Sequence, residues 1–64
     1  MHRYKKGQLV RIVDPGTICH DHLVRILEVR NGNRWAYRLD LRQISKKLHE
    51  APIWFEAKQL KGCP

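Results

Sequence analysis

Leu23-Val24-Arg25-Ile26-Leu27-Glu28-Val29-Arg30-Asn31-Gly32-Asn33-Arg34-Trp35-Ala36-Tyr37-Arg38-Leu39 is the stretch whose reading decides the fold. Asn and Gly tolerate the left-handed backbone that tight hairpin turns need, so Asn31-Gly32-Asn33 predicts two antiparallel neighbours on either side of it. In the second of these, Trp35, Tyr37, Leu39 and Leu41 alternate with Ala36, Arg38, Asp40 and Arg42, giving one apolar and one charged face. In the first, Val24 and Ile26 hold one phase and Leu27 and Val29 the other, which predicts a β-bulge or strong bend. A three-residue loop would set Trp35 opposite Val29 and Tyr37 opposite Leu27, matching aromatic with aliphatic residues, and is preferred over a two-residue loop.

Upstream, Gln8 to Val13 carries Val10 and Ile12 on one face with Arg11 between them, and Asp14-Pro15-Gly16 ends that strand, because Pro lacks an N–H and Gly permits positive φ. Downstream, Ile44 and Leu48 lie four apart ahead of Pro52, a spacing that fits one or two helical turns and an irregular loop equally. Ile53-Trp54-Phe55 reads as a short strand, Glu56 to Gln59 as a single tight helical turn, and Lys61 to Pro64 as either a last short strand or a frayed tail. The fold class expected is all-β: a barrel of about five antiparallel strands with a one-turn helix near the C-terminus. Its core is assigned to Val10, Ile12, Val24, Ile26, Leu27, Tyr37, Leu39 and one of Trp54 or Phe55, since adjacent strand residues point to opposite faces.

The chain has 64 residues, enough for one domain, taken as 1–64, that buries only about 60% of its unfolded surface. So thin a core argues against an enclosed catalytic cleft and a cofactor. Hydrophobic residues at 42% and charged residues at 30% are a globular composition, and 13 Lys and Arg against 6 Asp and Glu give a net charge of +7 that favours polyanionic partners. Two cysteines, Cys19 and Cys63, are too few for a disulfide framework, and a single bridge between them stays open. The basic N-terminus runs into Gly7-Gln8 without the apolar stretch of a secretory signal, and no apolar run reaches the roughly 20 residues of a membrane span. A cytoplasmic protein without membrane contact is expected.

Gly7-Gln8-Leu9-Val10-Arg11-Ile12, then Pro15-Gly16, then Val24 to Val29, is similar to the two bent strands of a KOW-type element, and Trp54-Phe55-Glu56-Ala57-Lys58-Gln59-Leu60 resembles the closing strand and one-turn helix of small SH3-like barrels. The resemblance implies an SH3-like β-barrel over most of the chain. The acidic, Tyr-rich first loop of proline-rich-peptide binders is missing, which argues against that ligand.

Among candidate site residues the arginines come first. With Trp35, Tyr37 and Leu39 inward, Arg34, Arg38 and Arg42 line the outer face of their strand, about 13 Å apart at the usual rise. Arg11 and Arg25 extend this into a curved basic surface suited to phosphate oxygens, which Asp40 and Glu28 would partly neutralise. Trp54, beside Lys58 or Arg42, is the candidate for stacking a base or anchoring a peptide if it is not folded over the barrel mouth. In an extended Cys19-His20-Asp21-His22, the two His share a face roughly 7 Å apart, but no third metal ligand is specified and the four residues cannot form one compact site. The expected function is a non-catalytic module contacting nucleic acid or a ribonucleoprotein through Arg11, Arg25, Arg34, Arg38, Arg42, Trp54 and Lys58. The alternative is a protein-interaction module, an adaptor or inhibitor using a sheet edge or an aromatic patch. A continuous basic stripe favours phosphate; an apolar patch rimmed by Arg favours protein.

Overall fold

The computed structural model describes residues 4–51 and 53–62. Five antiparallel strands, β1 (Leu9–Ile12), β2 (Leu23–Val29), β3 (Trp35–Leu39), β4 (Phe55–Glu56) and β5 (Leu60–Gly62), form one sheet in the order β4-β3-β2-β1-β5. A 3-10 turn, Ala57–Gln59, joins β4 to β5, which remain the two unpaired edges, so the ladder is not closed into a ring. The all-β expectation with its one-turn helix holds.

β2 belongs to two ladders. Its first half pairs with β1, Val10 opposite Val24, while its second half pairs with β3, Val29 opposite Tyr37 and Ile26 opposite Leu39. The register shifts between Ile26 and Glu28, the bulge that the phase change at Leu27 predicts. Being the extra residue there, Leu27 is only half-buried, which removes it from the core assignment.

The hairpin differs from expectation. Val29 pairs with Tyr37 rather than with Trp35, and Arg30 N donates to Ala36 O at 2.9 Å, so residues 31–35 make a longer loop. Gly32 at φ 70° supplies the left-handed turn residue, and Asn33 Oδ1 accepts from Trp35 N at 3.0 Å. This register joins Ile26 to Leu39 and Glu28 to Arg38, an apolar pair and a charge pair, where the expected one would set Arg38 against Ile26. Against the expected register the slip is two residues at Val29–Tyr37 and, beyond the bulge, one at Ile26–Leu39, and Tyr37 and Leu39 both stay buried. Trp35 instead pairs with Glu56 of β4 and is 47% exposed, against the inward position expected for it.

Val10, Ile12, Val24, Ile26, Tyr37, Leu39 and Phe55 are buried as assigned, joined by Tyr4, Cys19, Ala36, Leu41 and Leu60. Phe55 takes the inner face and the adjacent Trp54 is half-buried. Tyr4 enters from the N-terminal segment: its ring meets Tyr37 edge-on at 5.6 Å and its hydroxyl donates to Leu60 O at 3.1 Å. Between β3 and β4, α1 (Lys46–Glu50) takes the helical option of the two left open by the sequence. Ser45 caps it, its side chain accepting from Leu48 N at 3.3 Å, while Ile44 and Leu48 pack against the core. His49 Nδ1 accepts from Leu41 N at 3.2 Å and ties the helix to the end of β3.

Candidate functional site

The first long loop, residues 13–22, is held by hydrogen bonds at its base and near its tip. At its base Ile12 N donates to His22 O at 2.9 Å and Asp21 N to Ile12 O at 2.7 Å, with Asp21 in the left-handed region at φ 66°. Arg11 Nη1 holds that corner by donating to both Asp21 O (3.1 Å) and Asp21 Oδ1 (2.9 Å). Nearer the tip, Thr17 Oγ1 donates to Asp14 O at 2.9 Å, and His20 Nδ1 accepts from Asp14 N at 3.1 Å. His20 thus serves as a loop brace. Among the described residues no three His, Cys, Asp or Glu side chains gather as metal ligands, and His2 and Cys63 lie outside that set.

Folded this way, the loop leaves Ile18 63% exposed and Cys19 buried, and between it and the β3–β4 side runs an open cleft of about 230 Å³. Ile18, Trp35, Leu41, Leu48, Ile53 and Trp54 give it an apolar lining, with Asp14, Thr17 and Gln59 among its polar contributors. Cys19 also faces it, its thiol pKa pushed up first by burial and then by the charge of Asp14, so it is a poor nucleophile at neutral pH. Two guanidinium groups lie on the tryptophans: Arg30 at 4.1 Å from the Trp54 ring centroid and Arg34 at 5.1 Å from that of Trp35.

The seven residues named from sequence do not converge on this cleft or on one stripe. Arg11 is spent on Asp21, and Arg34 is paired with the buried Glu56, whose other oxygen lies 3.5 Å from Lys58 Nζ. Arg38 Nε sits 2.9 Å from Glu28 Oε1 without hydrogen-bond alignment. Arg42 grips Asp40 through two bonds of 2.9 and 2.6 Å, and this guanidinium holds the Asp40 carboxyl down at a pKa of about 2. Arg25 carries no carboxylate partner among the described residues; its Nη1 donates to Gly7 O at 3.1 Å. Arg34, Arg38 and Arg42 are therefore alternating charge pairs along β3 and its extension. Of the seven, Trp54 alone lines the cleft, with Arg34 at its margin. Ile18, Arg30, Leu48 and Ile53 belong to the cleft or its margin without a motif that marks them, the one signal in the sequence being an apolar Ile18 stranded in a turn-rich loop.

No protein-family model, curated protein or solved structure matches this chain. No helix among the described residues is long and apolar enough to cross a membrane.

Proposed function

We propose that the chain is a non-catalytic binding module that holds a protein partner in the cleft between the 13–22 loop and the β3–β4 side. The observation that carries this reading is the composition of the cleft: exposed Ile18 and Trp35 beside Trp54, Leu48 and Ile53, with arginines stacked on both indoles. Apolar centres rich in Trp and Arg are what protein interfaces bury at their hot spots. The nucleic-acid reading draws on the charge of +7, but Arg11, Arg34, Arg38 and Arg42 each carry a carboxylate that a phosphate would have to compete with. We also read the fold as a small SH3-like barrel, supported by the strand order, the division of β2 between two ladders and the one-turn helix between β4 and β5. A cytoplasmic location goes with this reading, on the cysteine count.

The test is affinity capture with wild-type and Ile18→Asp baits, followed by titration of the purified partner, alongside a short oligothymidylate at two salt concentrations. The reading expects a partner that binds wild type and Arg38→Gln but not Ile18→Asp. Oligothymidylate binding that falls steeply with salt, with no protein dependent on Ile18, overturns it in favour of nucleic acid.

A further inference from the structure

Arg30 differs from the arginines of the charge pairs. Its Nε donates to Trp35 O at 2.9 Å and its guanidinium plane rests on Trp54, so the group is held from two sides. Its two η nitrogens have no partner among the described residues, and no described carboxylate pairs with it. Both residues that hold Arg30 line the cleft. An exposed arginine normally loses side-chain freedom when it binds; here much of that freedom is already gone, and because Arg30 is exposed two N–H donors stay open to a ligand beside the cleft.

We infer that the ligand of the cleft is a protein segment that presents one carboxylate to the Arg30 fork next to an apolar side chain seated among Ile18, Trp35, Leu48 and Ile53. This rests on the protein-binding reading above and adds the partner's chemistry. A guanidinium with two parallel N–H groups matches a carboxylate in bidentate fashion. The cleft volume of about 230 Å³ suits one large apolar side chain, since a cavity of about 150 Å³ already holds a benzene ring. A run of phosphates fits less well than one carboxylate: the Arg30 fork takes a single anion beside the cleft, whereas the cleft itself is lined by Asp14, with no cation paired to it among the described residues, and is left to the apolar side chain. The carboxylate has two sources, an Asp or Glu side chain or the free end of a chain.

Selection of a random dodecapeptide display library on the whole chain, with binding of selected peptides measured by fluorescence polarisation, tests this. Expected are peptides with an apolar residue near an Asp, Glu or free C-terminus. Arg30→Gln should weaken them about tenfold, the scale of a charge-assisted pair, and should abolish their preference for Glu over Gln. Amidating the peptide C-terminus separates the two sources: loss of binding assigns the terminus, retention the side chain. Both Ile18 and Arg30 are exposed, and unchanged circular dichroism and unfolding midpoints certify the variants as folded. Peptides that need Ile18 but bind Arg30→Gln equally well overturn the carboxylate inference and leave the cleft reading standing. Peptides indifferent to Ile18→Asp, or no enrichment while oligothymidylate binds, overturn both.

Discussion

Tyr4 and Tyr37 meet edge to face with their centroids 5.6 Å apart, and Tyr4 N lies 3.4 Å from the Tyr37 hydroxyl, across 33 positions of sequence. A residue from the N-terminal segment thereby plugs the end of the core. Tyr4→Ala should cost about 3 kcal/mol or more, as other large aromatic truncations do, whereas Tyr4→Phe should cost about 1 kcal/mol for the lost bond to Leu60 O. Urea unfolding of the two variants measures both; equal costs would place the whole contribution in the hydroxyl.

Leu39 is 2% exposed and Leu27, at the bulge, is only half-buried. Leu39→Ala should lose about 2 to 5 kcal/mol. That is a large part of the about 3 to 10 kcal/mol available to a chain of this length. Leu27→Ala should lose clearly less, and reversal of that order in chemical denaturation would contradict the observed register.

The acid limb of stability should depend on Asp40. Its folded pKa, about 2, lies below the ordinary 3.8, so its contribution is complete above about pH 4 and is lost as pH falls toward 2. Between those values the unfolded chain binds the extra proton, and stability therefore rises with pH. Asp40→Asn should flatten this part of the profile, read from unfolding midpoints between about pH 2 and 5.

Glu56 is buried at 7% exposure, while its partner Arg34 keeps a side chain that is 66% exposed. Removing the arginine alone leaves a buried carboxylate with Lys58 as its one charge partner among the described residues, so Arg34→Gln should destabilise more than Arg38→Gln, whose partner Glu28 is well solvated. Adding Glu56→Gln to Arg34→Gln should recover part of the loss in a double-mutant cycle.

The Cys19 thiol should react slowly with a thiol reagent in the native protein and at an ordinary rate once urea unfolds it, because burial both shields the sulfur and raises its pKa. A Cys63→Ser background isolates the signal. Rapid native modification would contradict the packing of the 13–22 loop.

What the sequence made legible was whatever local chemistry dictates. Val10-Arg11-Ile12 and Val24-Arg25-Ile26 state their alternation outright, and the change of phase at Leu27 announces the bulge. The hairpin register is not legible from aromatic–aliphatic matching alone, because a shift of two residues at the loop gains the Glu28–Arg38 pair at no cost to the faces. Ala36 looked like a member of the charged face, yet it is buried at 5% exposure. The cleft was the least legible part. Ile18 and Trp35 are 17 positions apart, and it is the register shift between Trp35 and Tyr37 in the pairing with β4, invisible in the alternation of the sequence, that puts Trp35 out of phase with the buried Tyr37.

The antiparallel pairing of β1 with β5 also fixes how the chain answers to tension. Val10 lies opposite Gly62 and Ile12 opposite Leu60, so the start of the first strand and the end of the last share one end of the ladder. Pulling on residues 4 and 62 loads that ladder from its open end, one hydrogen bond after another, with the Tyr4 contacts to Leu60 and Tyr37 resisting first. The domain should therefore peel apart at low force when stretched by its ends, whereas a pull between residue 4 and the hairpin loop draws on several ladders at once.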